Sequence, residues 1–202
     1  MPVWTAQPGR TGRVKPGRVG WFRPYAPGMV TTPLPATSDE HDDRRAADRA
    51  VLSPISPADA GEVLTIQRAA FVSEALIYGS VDMPPLTQTL AELEAELRAA
   101  QGWVARVDGR LVGAIRVREE DGLLLIGRIA IAPDQQGEGI GQMLLEAAER
   151  ASSAEEAELF TGSLSEANIR LYERCGYVET ERVETGDGIQ EIYFRKKLRA
   201  AG

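Results

Sequence analysis

Between Ile129 and Ala151 the chain reads IAIAPDQQGEGIGQMLLEAAERA. An apolar run ends at a proline, three glycines follow at alternate positions (Gly137, Gly139 and Gly141), and the pattern of an amphipathic helix takes over. Few architectures leave the backbone so bare where a strand hands over to a helix. A helix start exposes unpaired N–H groups and carries a partial positive charge. Where small residues let the backbone come close, such a start holds phosphate. Two familiar phosphate loops are excluded. The nucleoside-triphosphate loop requires Lys followed by Ser or Thr after its second glycine, and no such pair is present. The dinucleotide fingerprint requires a further glycine three residues past Gly141, where Leu144 stands. Lacking a lysine, the loop suits a diphosphate held mainly by main-chain amides. The competing reading is a tight strand-to-helix turn whose glycines only relieve crowding, and this stretch alone leaves it open.

The 202 residues have room for one good-sized domain and an appendage. Residues 1–48 read as a poorly ordered extension, basic and then acidic, and 49–202 as the domain. Arg10, Arg13, Lys15, Arg18 and Arg23 fall within the first thirty residues, where no acid occurs, so the remainder stands at −12 against a total of −7. That acidic body argues against nucleic acid as a partner of the domain and favours a cationic small molecule. Trp4, Trp21, Phe22 and Tyr25 are unusual in such an extension, and a basic aromatic arm that engages an acidic partner is a separate hypothesis. His41 lies among acids without the spaced ligands of a metal site, so no metal is expected. No apolar run is long enough to span a membrane, and the opening residues lack the apolar core of a signal peptide. Cys175, the single cysteine, forms no internal disulfide, which fits a reducing compartment. The expected location is the cytoplasm.

Order is expected from about Val51. Ser56, Pro57 and Asp59 start a helix that turns Val63, Leu64, Ala70 and Phe71 inward. PPLTQTLAELEAELRAA predicts a second helix, with Thr89 and Glu92 at capping-box spacing and a stripe of Leu86, Leu90, Leu93 and Leu97. Two strands flank the turn Asp108-Gly109, and EEDG leads into a strand from Leu123 to Ala132. After the glycine loop and its helix come a short strand, ELFTG, and a helix capped by Ser165 and stopped at Gly176. Two last strands flank Gly186-Asp187-Gly188. The order β-α-α-β-β-β-α-β-α-β-β is that of an α/β sheet of mixed direction.

IAIAPDQQGEGIGQMLL resembles the signature of the GCN5-related N-acetyltransferase (GNAT) superfamily: an apolar strand, a proline, then Gln/Arg-x-x-Gly-x-Gly/Ala, with Gln136, Gly139 and Gly141 in those positions. NIRLYERCGY, from Asn168 to Tyr177, is similar to that family's Asn-x-x-x-x-Tyr helix ending in Gly-Phe/Tyr. The resemblance runs from about Val51 to Leu198. It implies the acyl-CoA N-acyltransferase fold, a mixed central sheet of about seven strands with helices on both faces. The fourth strand would carry a bulge and splay from the fifth to leave a V-shaped slot. It also implies acetyl-CoA as co-substrate. Ile129, Ala130 and Ile131 would offer backbone groups to the pantetheine and the thioester. Gln136, Gly137, Glu138, Gly139, Ile140 and Gly141 would wrap the diphosphate, and Asn168 would reach the pantetheine. Tyr172 shares a helix face with Asn168 and would give a proton to the leaving thiolate. A phenol near ~10 is a slightly weak donor to a thiol near ~8.5.

Two departures stand out. Gln136 occupies a position where Arg is common, and Glu138 puts a negative charge inside the loop. Cys175 has no histidine near it in sequence and packs at the helix end in this reading, while Arg128 lines either the acceptor slot or the outer face of the sheet. The cluster Glu119, Glu120 and Asp121 reads as a solvated turn, and no general base is named. In this architecture the acceptor site is usually built by the first two helices, their connection and the last hairpin. The connection holds Glu74, Tyr78, Asp82, Thr87 and Gln88. The expected activity is acetylation of a primary amine on a small molecule or amino-acid derivative. The alternatives are a protein or peptide amine as acceptor, or a non-catalytic acyl-CoA-binding module. The resemblance admits a homodimer.

Overall fold

The computed structural model describes residues 45–186 and 189–198, which belong to a unit spanning Arg44–Gly202. The basic aromatic stretch, His41 and the centre of the last hairpin turn lie outside the described residues. A short helix α1 (Ala46–Arg49) leads into strand β1 (Val51–Pro54), then helices α2 (Ala60–Tyr78), α3 (Pro84–Thr87) and α4 (Leu90–Leu97). Strands β2 (Gln101–Val107), β3 (Arg110–Glu120) and β4 (Leu123–Ile131) follow, then helix α5 (Ile140–Ala151), strand β5 (Glu156–Gly162) and helix α6 (Glu166–Arg174). Strands β6 (Val178–Gly186) and β7 (Ile189–Lys197) complete one seven-stranded sheet in the order β1-β2-β3-β4-β5-β7-β6. Every neighbouring pair is antiparallel except β4 with β5, which is parallel.

Local chemistry explains most of these elements. Asp108 and Gly109 both take positive φ, as do Asp121 and Gly122, so each Asp-Gly pair closes a tight hairpin with the twist the strands need. Ser56 and Asp59 form a capping box ahead of α2, which ends at Gly79 in the left-handed conformation. Residues Leu111 to Val117 of β3 are buried without interruption, as a strand covered on both faces requires. A Cβ at Gly113 would touch Ile140 and Leu144 of α5, whereas Arg116 bonds Gln67 of α2, so the two helices lie on opposite faces. Among the described residues no helix is long and apolar enough to cross a membrane.

Two features depart from the sequence reading. The second helix is broken into α3 and α4, because Thr89 is extended so that its hydroxyl can accept the Glu92 amide. The capping box therefore starts a new helix, and Leu90 falls off the apolar stripe at 45% exposure while Leu93 and Leu97 are buried. The four residues of α1 were not anticipated, being too few to show a period, yet Ala46 joins the core.

A buried polar network ties α2 and α4 to the sheet. Arg116 donates to Gln67 Oε1 at 2.6 Å and lies 3.1 Å from Glu96 Oε1. Gln67 donates to the Pro85 carbonyl and to Gln88, which in turn donates to Glu96 at 2.7 Å. Burial lowers the Arg116 guanidinium to about 10, with Glu96 opposing the shift and Arg128 adding to it. Glu96→Ala leaves this cation with neutral Gln67 and the like-charged Arg128 and is expected to cost about 3–5 kcal/mol in urea unfolding, whereas the paired change Arg116→Met with Glu96→Leu recovers most of that loss. At the other face Lys196 of β7 meets Glu149 of α5 at 2.6 Å, and Tyr177 donates to the same carboxylate at 2.8 Å. That cluster packs beside half-buried Cys175, whose thiol burial pushes up.

Candidate active site

β4 and β5 pair only from Leu123 to Leu125 against Glu156 to Glu158. Beyond those residues β5 follows β7, and β4 stays with β3, so the two parallel strands part and leave a slot. Within β4, Gly127 and Ala130 oppose Arg116 and Ala114, which sets two residues, Arg128 and Ile129, against Ile115 alone. This is a β-bulge, and Arg128 takes the positive φ, 39°, that forms it. The Ala132 amide donates to Val112 of β3. By the alternation of an antiparallel ladder, Ala130 also turns its peptide groups to β3, and those of Ile131 turn into the slot. Burial lowers the Arg128 guanidinium, and Glu96 opposes the shift.

The glycine loop closes the slot at the end of β4. Gly137 and Gly139 have φ of 86° and 89°, a conformation that glycine alone adopts without strain. Gly141 serves a different end, because a Cβ there would meet Leu171 at 3.1 Å, and its absence lets α5 lie close on α6. Among the described residues the amides from Gln136 to Gln142, seven in a row, donate to no protein acceptor; the flanking amides do, Gln135 to Ala132 and Met143 to Gly139. Glu138 does not face into this row. Its carboxylate accepts from the Ala46 amide at 3.4 Å and its carbonyl from the Ala47 amide at 3.3 Å, so the start of α1 holds the negative charge away. Gln136 folds back to the Ile131 carbonyl at 3.4 Å. Asp134 grips Arg110 through two bonds, 2.6 and 2.8 Å, and fixes the loop to the β2–β3 hairpin.

Helix α6 forms the far wall. Tyr172 is 7% exposed and packs against Tyr177 and Phe194 at ring distances of 6.3 and 5.9 Å. Its hydroxyl has no hydrogen-bond partner among the described residues, and burial, with a smaller effect of Glu74, pushes the phenol well above its ordinary value. One turn earlier, Asn168 donates to Glu74 Oε1 at 3.3 Å and to Thr161 of β5 at 3.5 Å. Ser165 donates to the other Glu74 oxygen, Tyr78 bonds Ser165 at 3.0 Å, and the Leu164 amide donates to Tyr78 at 2.9 Å. A methyl group at Gly162 would overlap the Tyr78 hydroxyl, so β5 admits this network only because Gly162 lacks one.

The structure thus sets the Ile131 peptide and the Gln136–Gly141 loop at the end of β4 that parts from β5, while on α6 Asn168 bonds Thr161 of β5 and Leu171, beside Tyr172, lies against Gly141. Glu74 and Tyr78 stand on the last turns of α2 and reach α6, while Thr87 bonds its own helix at Met83 and Gln88 joins the buried network. Sequence reasoning missed the roles of Thr161 and Ser165 beside Glu74, which only the packing of β5 and α6 against α2 brings together. Glu119 accepts from Ser153 and Glu120 pairs with Arg118, both exposed, as a solvated turn requires. Among the described residues no group of His, Cys, Asp or Glu is arranged to hold a metal.

A family model described as "Acetyltransferase (GNAT) domain" matches residues 98–179. The chain is 28% identical over 144 residues to the UPF0157 protein YqkA of Bacillus subtilis, covering 69% of this chain and 41% of that protein. It is 27% identical over 167 residues to mycothiol acetyltransferase of Propionibacterium freudenreichii, covering 74% and 49%. The match spans less than half the length of either relative. Among solved structures, the PaiA N-acetyltransferase from Thermoplasma acidophilum in complex with coenzyme A aligns with a TM-score of 0.61 at 18% identity, over 73% of this chain and 98% of that one. That likeness is one of fold.

Proposed function

We propose that this chain, whose residues 98–179 match the acetyltransferase (GNAT) domain model, is a GCN5-related N-acetyltransferase that moves an acetyl group from acetyl-CoA to a primary amine of a small molecule or amino-acid derivative. The observation that carries this reading is the row of amides from Gln136 to Gln142 left without protein acceptors at the start of α5. Seven adjacent donors aimed by left-handed glycines suit a diphosphate, and the turn of Glu138 toward α1 keeps its charge from opposing one. The coenzyme A held by the Thermoplasma neighbour supports the same donor, and the mycothiol acetyltransferase relative supports a small acceptor.

In this reading the backbone of Ile129 and Ile131 lines the thioester end of the slot, and Asn168 meets the pantetheine arm. A neutral amine attacks the thioester carbonyl, and the Ile131 N–H stabilises the oxyanion that develops. As the C–S bond breaks, Tyr172 donates its proton to the sulfur, and the proton shed by the amine nitrogen restores the phenol. A phenol whose ring is buried and whose hydroxyl has no protein partner favours this chemistry over a module that only binds acyl-CoA. The test is calorimetry with acetyl-CoA followed by free-thiol release across a panel of amines. Binding heat and amine-dependent release are expected; absence of heat from acetyl-CoA overturns the proposal.

A further inference from the structure

The glycine loop carries two acids, and the structure holds them in different ways. Asp134 is gripped by Arg110 of the β2–β3 hairpin at 2.6 and 2.8 Å. Glu138, between two left-handed glycines, is held by main-chain amides instead. The Ala46 N–H reaches its carboxylate at 3.4 Å, and the Ala47 N–H reaches its carbonyl at 3.3 Å. Both amides belong to α1, which is itself seated. Ala46 is 4% exposed and joins the core, and Arg49 lies 3.5 Å from Asp108 at the tip of the hairpin. Loop, hairpin and α1 are thus tied to one another pairwise.

The bond from Ala47 fixes a direction. In a trans peptide the C=O and the N–H point opposite ways. The Glu138 carbonyl faces α1, so the Gly139 N–H of the same peptide faces away from α1. That N–H belongs to the row left without protein acceptors. The bond from Ala46 fixes a charge. Glu138 immediately precedes Gly139, the cap of α5. A carboxylate beside the start of a helix is drawn to its unpaired amides.

We propose that α1 is a positioning element for the coenzyme. Its Ala47 amide aims the Gly139 N–H at the diphosphate, and its Ala46 amide keeps the Glu138 carboxylate from competing for the same donors. The inference rests on the reading that the Gln136–Gln142 amides hold the diphosphate. By linkage the coupling runs both ways, so a coenzyme that needs α1 in place also holds α1 in place.

The test uses the full chain. Ala46→Pro removes one N–H and suits its position, because Arg45 before it is already extended, φ −54° and ψ 145°, and Ala46 is the first helical residue. Calorimetry is expected to show acetyl-CoA bound about 10–100-fold more weakly, the effect of contesting one charge-assisted bond. Acetyl-pantetheine, which ends short of the diphosphate, binds as in wild type. Ala46→Gly, which keeps the amide, retains acetyl-CoA affinity within about twofold. In a Glu138→Gln background, Ala46→Pro costs no more than about threefold, because the neutral side chain does not displace a diphosphate. Hydrogen exchange of the wild-type chain reads the coupling from the other end: saturating coenzyme A is expected to slow the Ala46 and Ala47 amides at least about tenfold. Full acetyl-CoA affinity in Ala46→Pro, an equal loss in both backgrounds, or an equal loss of both ligands overturns the assignment. If Ala46→Pro does not fold, the exchange decides: slowing supports the proposal and unchanged exchange overturns it. A wild type that yields no heat with acetyl-CoA overturns the diphosphate reading itself, whereas one that binds while α1 exchanges as before overturns the role of α1 alone.

Discussion

Tyr172→Phe is expected to lower kcat by about 10²–10³-fold while acetyl-CoA affinity stays within about twofold, the signature of a lost proton donor rather than a lost binding group. The ring contacts with Tyr177 and Phe194 survive the change. No protein hydrogen bond is lost, because the hydroxyl has no partner among the described residues. Removing a hydroxyl that makes no protein hydrogen bond breaks no contact, so the melting temperature should not fall. The pH profile separates this role from others. Burial holds the phenol above its ordinary value, so it stays protonated through the neutral and mildly alkaline range. Wild type should therefore show no alkaline decline from this group there, and both proteins should share a rising limb from deprotonation of the amine. A variant with unchanged turnover removes Tyr172 from the chemistry.

How far the molecule was legible in its sequence follows from the range of the forces involved. The Asp-Gly turns, the caps at Ser56 and Thr89, and the stop at Gly176 are local chemistry, and the structure repeats them. The glycine loop was legible for the same reason, although the sequence did not distinguish Gly141, kept small by Leu171, from two glycines that set backbone direction. The direction of Glu138 was open because its partner, the start of α1, is 92 residues away. Gln67 and Arg116, 49 residues apart, sit in patterns that read as an apolar helix face and a strand; nothing local says that their polar ends meet inside. Glu74 and Ser165 are 91 residues apart, and their contact exists only after β5 and α6 close on α2. Periodicity reports which face of an element is buried, not which charge waits on the other side.

Gly139→Val is expected to weaken acetyl-CoA binding by about 10²-fold or more while leaving the domain folded. A φ of 89° places a branched side chain in a conformation that costs L-residues about 1–2 kcal/mol, and the added carbon would lie 3.1 Å from the Ala47 methyl. The loop relieves both strains by rotating the peptides around position 139, which turns amides of the Gln136–Gln142 row out of line. Each amide-to-phosphate bond contributes about 1.5–3 kcal/mol, so misdirecting two of them is enough for the stated loss. The strain itself is small beside the stability of a domain of this size. A truncated ligand gives the control. Acetyl-pantetheine, which lacks the diphosphate, should bind wild type and variant alike, because the proposed function sets its contacts along Ile129, Ile131 and Asn168. If calorimetry instead shows both ligands weakened in proportion, the variant has disturbed the slot as a whole. If neither is weakened, the diphosphate does not lie on these amides, and Gly137 and Gly139 answer only to the tightness of the turn.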